Sequence, residues 1–97
     1  MPDGDASGEF LLELYVSGAD PGAVAAATGE AERAAAELAG EGRPLRFVRS
    51  IFVPDDETCF LLYEAARVED VEEAARRASL PFARISRAAA RPKGEAR

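Results

Sequence analysis

Residues 45–64 read LRFVRSIFVPDDETCFLLYE, and how this stretch is read decides the fold. Leu45 to Val53 and Thr58 to Glu64 are rich in β-branched, aromatic and leucine side chains, while Pro54-Asp55-Asp56-Glu57 between them are turn formers. The stretch therefore predicts a β-hairpin. A four-residue loop pairs Val53 with Thr58, Ile51 with Phe60, Arg49 with Leu62 and Phe47 with Glu64. Strand side chains alternate, so Phe47, Arg49, Ile51, Phe60, Leu62 and Glu64 then share one face, and Val48, Ser50, Cys59, Leu61 and Tyr63 the other.

Upstream of the hairpin, residues 9–16 form a further strand candidate ending at Ser17-Gly18-Ala19. Asp20 reads as a helix N-cap, because Pro21 suits the first helical position, where its missing N–H costs nothing. The helix it opens, 21–39, carries Val24, Thr28, Ala31, Ala35 and Leu38 at three- and four-residue spacing, with Gly40 placed as a C-terminal cap. Its alanine-rich face suits close approach to a sheet. Downstream, residues 68–79 place Val71, Ala74, Ala75 and Ala78 on one side of a second helix. Glu72–Arg76 and Glu73–Arg77 form i,i+4 pairs on what reads as a solvated face. Leu80-Pro81 stops that helix and leaves room for a last strand around 84–87. The order is βαββαβ, an α+β ferredoxin-like fold: a four-stranded antiparallel sheet with two helices on one face, of the dimeric α/β-barrel type.

The chain has 97 residues, 47% of them hydrophobic, enough for one domain with its own core. That domain spans 9–89, and the segments 1–8 and 90–97, poor in core-forming side chains, are expected to be mobile. Twelve basic against eighteen acidic residues give a net charge of −6, which argues against nucleic acid and against anionic membrane surfaces as partners. A lone cysteine, Cys59, and the lack of a signal-like N-terminus point to the cytoplasm. Histidine is absent, which removes the commonest general base and the commonest transition-metal ligand. Cys59 reads as a small core residue rather than a nucleophile.

In a βαββαβ sheet the first and third strands are central neighbours, so Glu13 and Glu64 are expected on the same uncovered face, with Arg49 approaching from the edge strand. Phe47, Ile51, Phe60 and Leu62, with Leu11 of the first strand on the same side, make that face too apolar for water and predict a homodimer interface. Two such sheets would enclose a cavity with Glu13, Tyr15, Arg49 and Glu64 as its polar, ligand-binding lining. The plainer alternative is that Glu13 or Glu64 pairs with Arg49 at the sheet edge or in the interface.

The run Phe47 to Val53, Asp55-Asp56, Tyr63-Glu64-Ala65, the helix Val71 to Ala78 and Leu80-Pro81-Phe82-Ala83-Arg84-Ile85 together resemble a family of small ferredoxin-like proteins. That family is catalogued as a domain of unknown function, with some members described as nickel-binding proteins. The resemblance covers roughly residues 9–88 and includes Glu13, at a position where the family favours glutamate. This chain departs from it with Leu61 where cysteine is common, Phe47 where tryptophan is, Ala83 where aspartate is frequent, and no histidines. The resemblance implies a small metal- or ligand-binding protein whose cofactor would be a divalent metal ion, with Glu13 and Glu64 as candidate ligands. A site of those two carboxylates alone is a hard-oxygen site, better suited to magnesium, calcium or manganese than to nickel. Two other classes stand beside this one: a small cofactor-free enzyme of the isomerase or monooxygenase type with a glutamate acid/base, and a structural or regulatory interaction module.

Overall fold

The structure is a computed structural model that describes residues 8–89. The expectation of mobile ends over 1–8 and 90–97 lies outside those residues, except for Gly8, which opens the first strand. The elements are β1 (Gly8–Tyr15), α1 (Pro21–Gly40), β2 (Leu45–Val53), β3 (Thr58–Ala65), α2 (Val68–Arg77) and β4 (Arg84–Ala88), with short 3₁₀ turns at Ser17–Ala19 and Pro54–Asp56. All strand pairs are antiparallel and the sheet order is β2-β3-β1-β4, the ferredoxin-like arrangement expected from the element order. Among the described residues no helix is long and apolar enough to cross a membrane.

One face of the sheet meets both helices. Phe10, Leu12, Leu14, Cys59, Leu61 and Tyr63 from the two central strands are buried in a single core with Ala31, Ala34, Ala35 and Leu38 of α1 and Val71, Ala74 and Ala75 of α2. The alanines bring α1 close to the sheet, as their spacing predicted. Asp20 caps α1 by accepting the Gly22 N–H at 2.9 Å. Gly40 is the last residue of α1 rather than its cap; Glu41 is the C-cap, and Gly42 makes the turn at φ +89°, a conformation that the missing Cβ allows.

Charged contacts beyond the expected i,i+4 pairs tie the helices together. Asp70, almost wholly buried in the first turn of α2, accepts from Arg43 Nε at 2.9 Å, so the segment after α1 is clamped to the start of α2. At the other end of α2, Arg77 reaches Glu41 at 2.7 Å and Glu73 at 2.8 Å. The expected Glu72–Arg76 pair is not formed; Arg76 pairs with Glu73 instead. The guanidinium of Arg76, and then that of Arg77, hold the Glu73 carboxyl down to about 2.

The hairpin loop and the first three pairings of the hairpin are as read from the sequence: Val53 with Thr58, Ile51 with Phe60, Arg49 with Leu62. Beyond Arg49 the register shifts. A bulge at Val48 sets Phe47 opposite Tyr63 and Arg46 opposite Glu64. Phe47 therefore does not share the face of Ile51 and Phe60. It turns to the helix side, where its ring meets that of Tyr63 edge to face at a centroid distance of 5.5 Å. The expected Phe47–Glu64 pairing is corrected accordingly. A hairpin pattern assumes one residue for one, and an edge strand, with only one neighbour, readily holds an extra residue.

Tyr63 is buried, and its hydroxyl has no hydrogen-bond partner among the described residues; burial alone pushes its pKa up to about 12. Replacing it by phenylalanine removes an unsatisfied polar atom, so Tyr63→Phe is expected to raise stability by about 1 kcal/mol near neutral pH. Because the folded pKa lies above the unfolded value, the native state favours the neutral phenol. That stabilisation is complete below about pH 10 and is lost as pH rises toward about 12. Urea midpoints compared at about pH 8 and about pH 11 should show a larger fall for wild type than for Tyr63→Phe, and parallel falls would refute the assignment.

Candidate functional site

The face of the sheet away from the helices is built by alternation along each strand. β1 contributes Glu9, Leu11, Glu13 and Tyr15, and β3 contributes Thr58, Phe60, Leu62 and Glu64. β2 adds Arg46, Arg49 and Ile51, and β4 adds Arg84, Ser86 and Ala88. Across the strands the rows run Ile51–Phe60–Glu13–Arg84, then Arg49–Leu62–Leu11–Ser86, then Arg46–Glu64–Glu9–Ala88. Leu11, Ile51, Phe60 and Leu62 thus form one apolar patch across three strands. Ile51 is 43% exposed.

The four residues expected to line a ligand cavity all lie on this face, but they do not converge. Glu13 stands opposite Phe60, whereas Glu64 stands opposite Glu9. Glu9 and Glu13 are four residues apart on β1, about 13 Å at the usual rise of a strand. Each of the two expected carboxylates has an arginine of its own: Glu13 accepts from Arg84 Nε at 3.1 Å, and Glu64 accepts from Arg46 Nε at 3.0 Å and Nη2 at 2.8 Å. Arg49, opposite Leu62, makes no ion pair among the described residues. The alternative that paired Glu13 or Glu64 with Arg49 is not observed either; Arg84 and Arg46 are the partners instead. Sequence reading missed Arg46 because it depends on the bulge, and Arg84 because β4 pairs with β1 from the far end of the chain.

Tyr15 sits at one end of the patch, largely exposed, and its hydroxyl donates to Glu57 Oε1 at 2.9 Å; the other oxygen of Glu57 accepts the Gly18 N–H at 2.9 Å. Glu57 thus joins the two loops at this end of the sheet. Cys59 is buried on the helix side, where desolvation pushes its thiol up. A separate groove of about 460 Å³ runs between α1 and the start of β2, walled by Ala35, Ala36, Ala39, Leu45 and Phe47, with Glu32 and Arg46 at its rim. Sequence analysis took the alanines for close packing; some of them leave this space instead. The groove holds neither a nucleophile nor a pair of carboxylates.

Residues 16–87 match the model of a family described as "Nickel responsive protein SCO4226-like". The chain belongs to that family. The match spans well over half of the sequence and begins just after β1, so Arg49 and Glu64 lie inside it and Glu13 and Tyr15 outside. No curated protein and no solved structure matched the chain.

The family name raises the question of a nickel site, which the donor set answers. Nickel favours imidazole and thiolate donors; the chain has no histidine, and its one cysteine is buried among core side chains on the helix side. Among the described residues no three His, Cys, Asp or Glu side chains lie close enough to hold a metal ion. The described residues do not fit nickel. The two arginine–glutamate pairs are surface pairs, each arginine about two-thirds exposed or more. Arg46→Ala and Arg84→Ala are therefore each expected to lower stability by less than about 1 kcal/mol in chemical denaturation, and a larger loss would show that the pairs do more than border the patch.

Proposed function

We propose that this family member is a homodimeric binding protein in which two protomers meet through their uncovered sheet faces and enclose a cavity for a small, largely apolar ligand. The observation that carries this reading is the contiguous patch of Leu11, Ile51, Phe60 and Leu62, which no element of the chain covers. Apolar surface of this kind gains roughly 25 cal/mol per Å² when it leaves water, and contiguous patches mark association. Charge supports a second copy as the occupant. The chain carries −6 overall, yet this face carries three glutamates and three arginines, so two copies meet there without net repulsion. A cavity between two such faces is largely apolar because Glu13 and Glu64 already hold arginines.

In this reading the protein serves a nickel response without ligating nickel inside one protomer. An isomerase or monooxygenase in which Glu13 or Glu64 is the acid/base is disfavoured by the arginine paired with each carboxylate.

Wild-type protein is expected to be a dimer at micromolar concentration by size exclusion with light scattering, and Ile51→Glu and Leu62→Glu each to be monomers, because an unpaired charge is costly to bury. Phe47→Ala, on the helix side, should instead lower unfolding stability by about 2–3 kcal/mol and leave the dimer intact. A monomeric wild type ends the proposal. Calorimetric titration of the purified protein with Ni²⁺ is expected to give heats of dilution only; a saturable heat that disappears in Glu64→Gln would put the metal on the sheet face after all.

A further inference from the structure

We infer that Arg49 of each protomer pairs with the partner's Glu9, so that two symmetry-related ion pairs set the register of the dimer; this rests on the sheet-to-sheet reading above. Six charged side chains stand on the uncovered face. Four of them are matched within the protomer, Glu13 with Arg84 and Glu64 with Arg46. Arg49 and Glu9 are left over, and neither makes an ion pair or a side-chain hydrogen bond among the described residues.

The two cannot meet within one chain without lying across the sheet. Arg49 is on β2 opposite Leu62, and Glu9 is on β1 opposite Glu64, so β3 separates them. Two strand spacings of about 4.8 Å and two residues of about 3.4 Å place their Cα atoms about 12 Å apart, with both side chains standing off the sheet. Glu9 also faces Glu64 directly, and like charges in cross-strand pairs repel. The Arg46 guanidinium is already directed onto one Glu64 oxygen through two nitrogens, which leaves the Glu9 carboxylate without a cation of its own.

Covering the face with a second sheet would bury both unmatched charges, and a buried charge without a partner is strongly destabilising. In a two-fold interface, where residue i meets j, residue j meets i, so one Arg49–Glu9 contact implies its twin. The two-fold axis that carries Arg49 over the partner's Glu9 bisects the line between them and crosses β3 between Leu62 and Glu64. Leu62 and Leu11 therefore lie beside the axis, with the two ion pairs on either side of it.

Charge reversal tests this contact. Arg49→Glu alone sets two glutamates against each other, Glu9→Arg alone sets two arginines against each other, and an equimolar mixture of the two variants restores both contacts in a heterodimer. Sedimentation velocity and native mass spectrometry should show each variant alone with a dimer dissociation constant raised at least about tenfold, and the mixture forming a one-to-one heterodimer tighter than either homodimer. Arg49→Gln and Glu9→Gln, which only remove charge, should weaken the dimer less, and their mixture, which regains one of the two ion pairs, should prefer the heterodimer less strongly than the reversal variants do. A wild-type dimer that Ile51→Glu dissociates, but whose affinity neither reversal changes or whose variants show no preference for each other, overturns the Arg49–Glu9 contact and leaves the dimer standing. A monomeric wild type overturns the dimer and the contact together.

Discussion

The extra residue at Val48 sets which side chains β2 gives to the core and which to the open face. Without it, strict alternation from Val53 back to Leu45 would send Phe47 outward and Arg46 inward, opposite Ala65. The first would expose an aromatic ring, and the second would bury a guanidinium among leucines and alanines, which costs several kcal/mol unless it is paired. With the bulge, Phe47 and buried Leu45 join the core, and Arg46 swings out to Glu64. Only an edge strand accommodates such a slip cheaply, because it has a ladder on one side alone. The same bulge twists the edge and, with Arg46 and Arg49 on it, discourages uncontrolled strand addition there.

Around that hairpin the core is built from small side chains. Five of the residues buried in α1 and α2 are alanines, Ala31, Ala34, Ala35, Ala74 and Ala75, which bring backbone near backbone but bury little apolar surface apiece. Charged clamps supplement that core. Asp70 is held by Arg43, and Arg77 links the ends of α1 and α2 through Glu41 and Glu73. Removing one member of a buried pair is costlier than the pair is stabilising, so the Asp70 clamp specifies how α2 docks more than it adds to overall stability.

The family is named for a response to nickel, yet among the described residues no donor set suited to nickel is gathered. The uncovered face has an apolar centre, charges matched around it, and one acid and one base left unmatched among the described residues. Proton transfer would need a carboxylate isolated in a confined site. Glu13 and Glu64 instead each have a guanidinium beside them on a partly open surface.

The sequence by itself determined the element order, the hairpin loop, the Asp20 cap, the burial of Cys59 and the shared face of Leu11, Glu13, Arg49, Ile51, Phe60, Leu62 and Glu64. All of these follow from local propensity and from the two-residue period of a strand, which neighbours along the chain carry. It did not determine that Glu13 lies opposite Phe60, that Glu64 lies opposite Glu9, or that Arg84 and Arg46 are their partners. Those contacts join strands distant in the chain, and their register depends on how β1 slides against β3 and β4 until its apolar side meets the helices. Phe47 shows the limit most directly. Its side was misread because alternation counts residues, whereas the edge strand could take one more residue than its partner to place an aromatic ring in the core and an arginine in water.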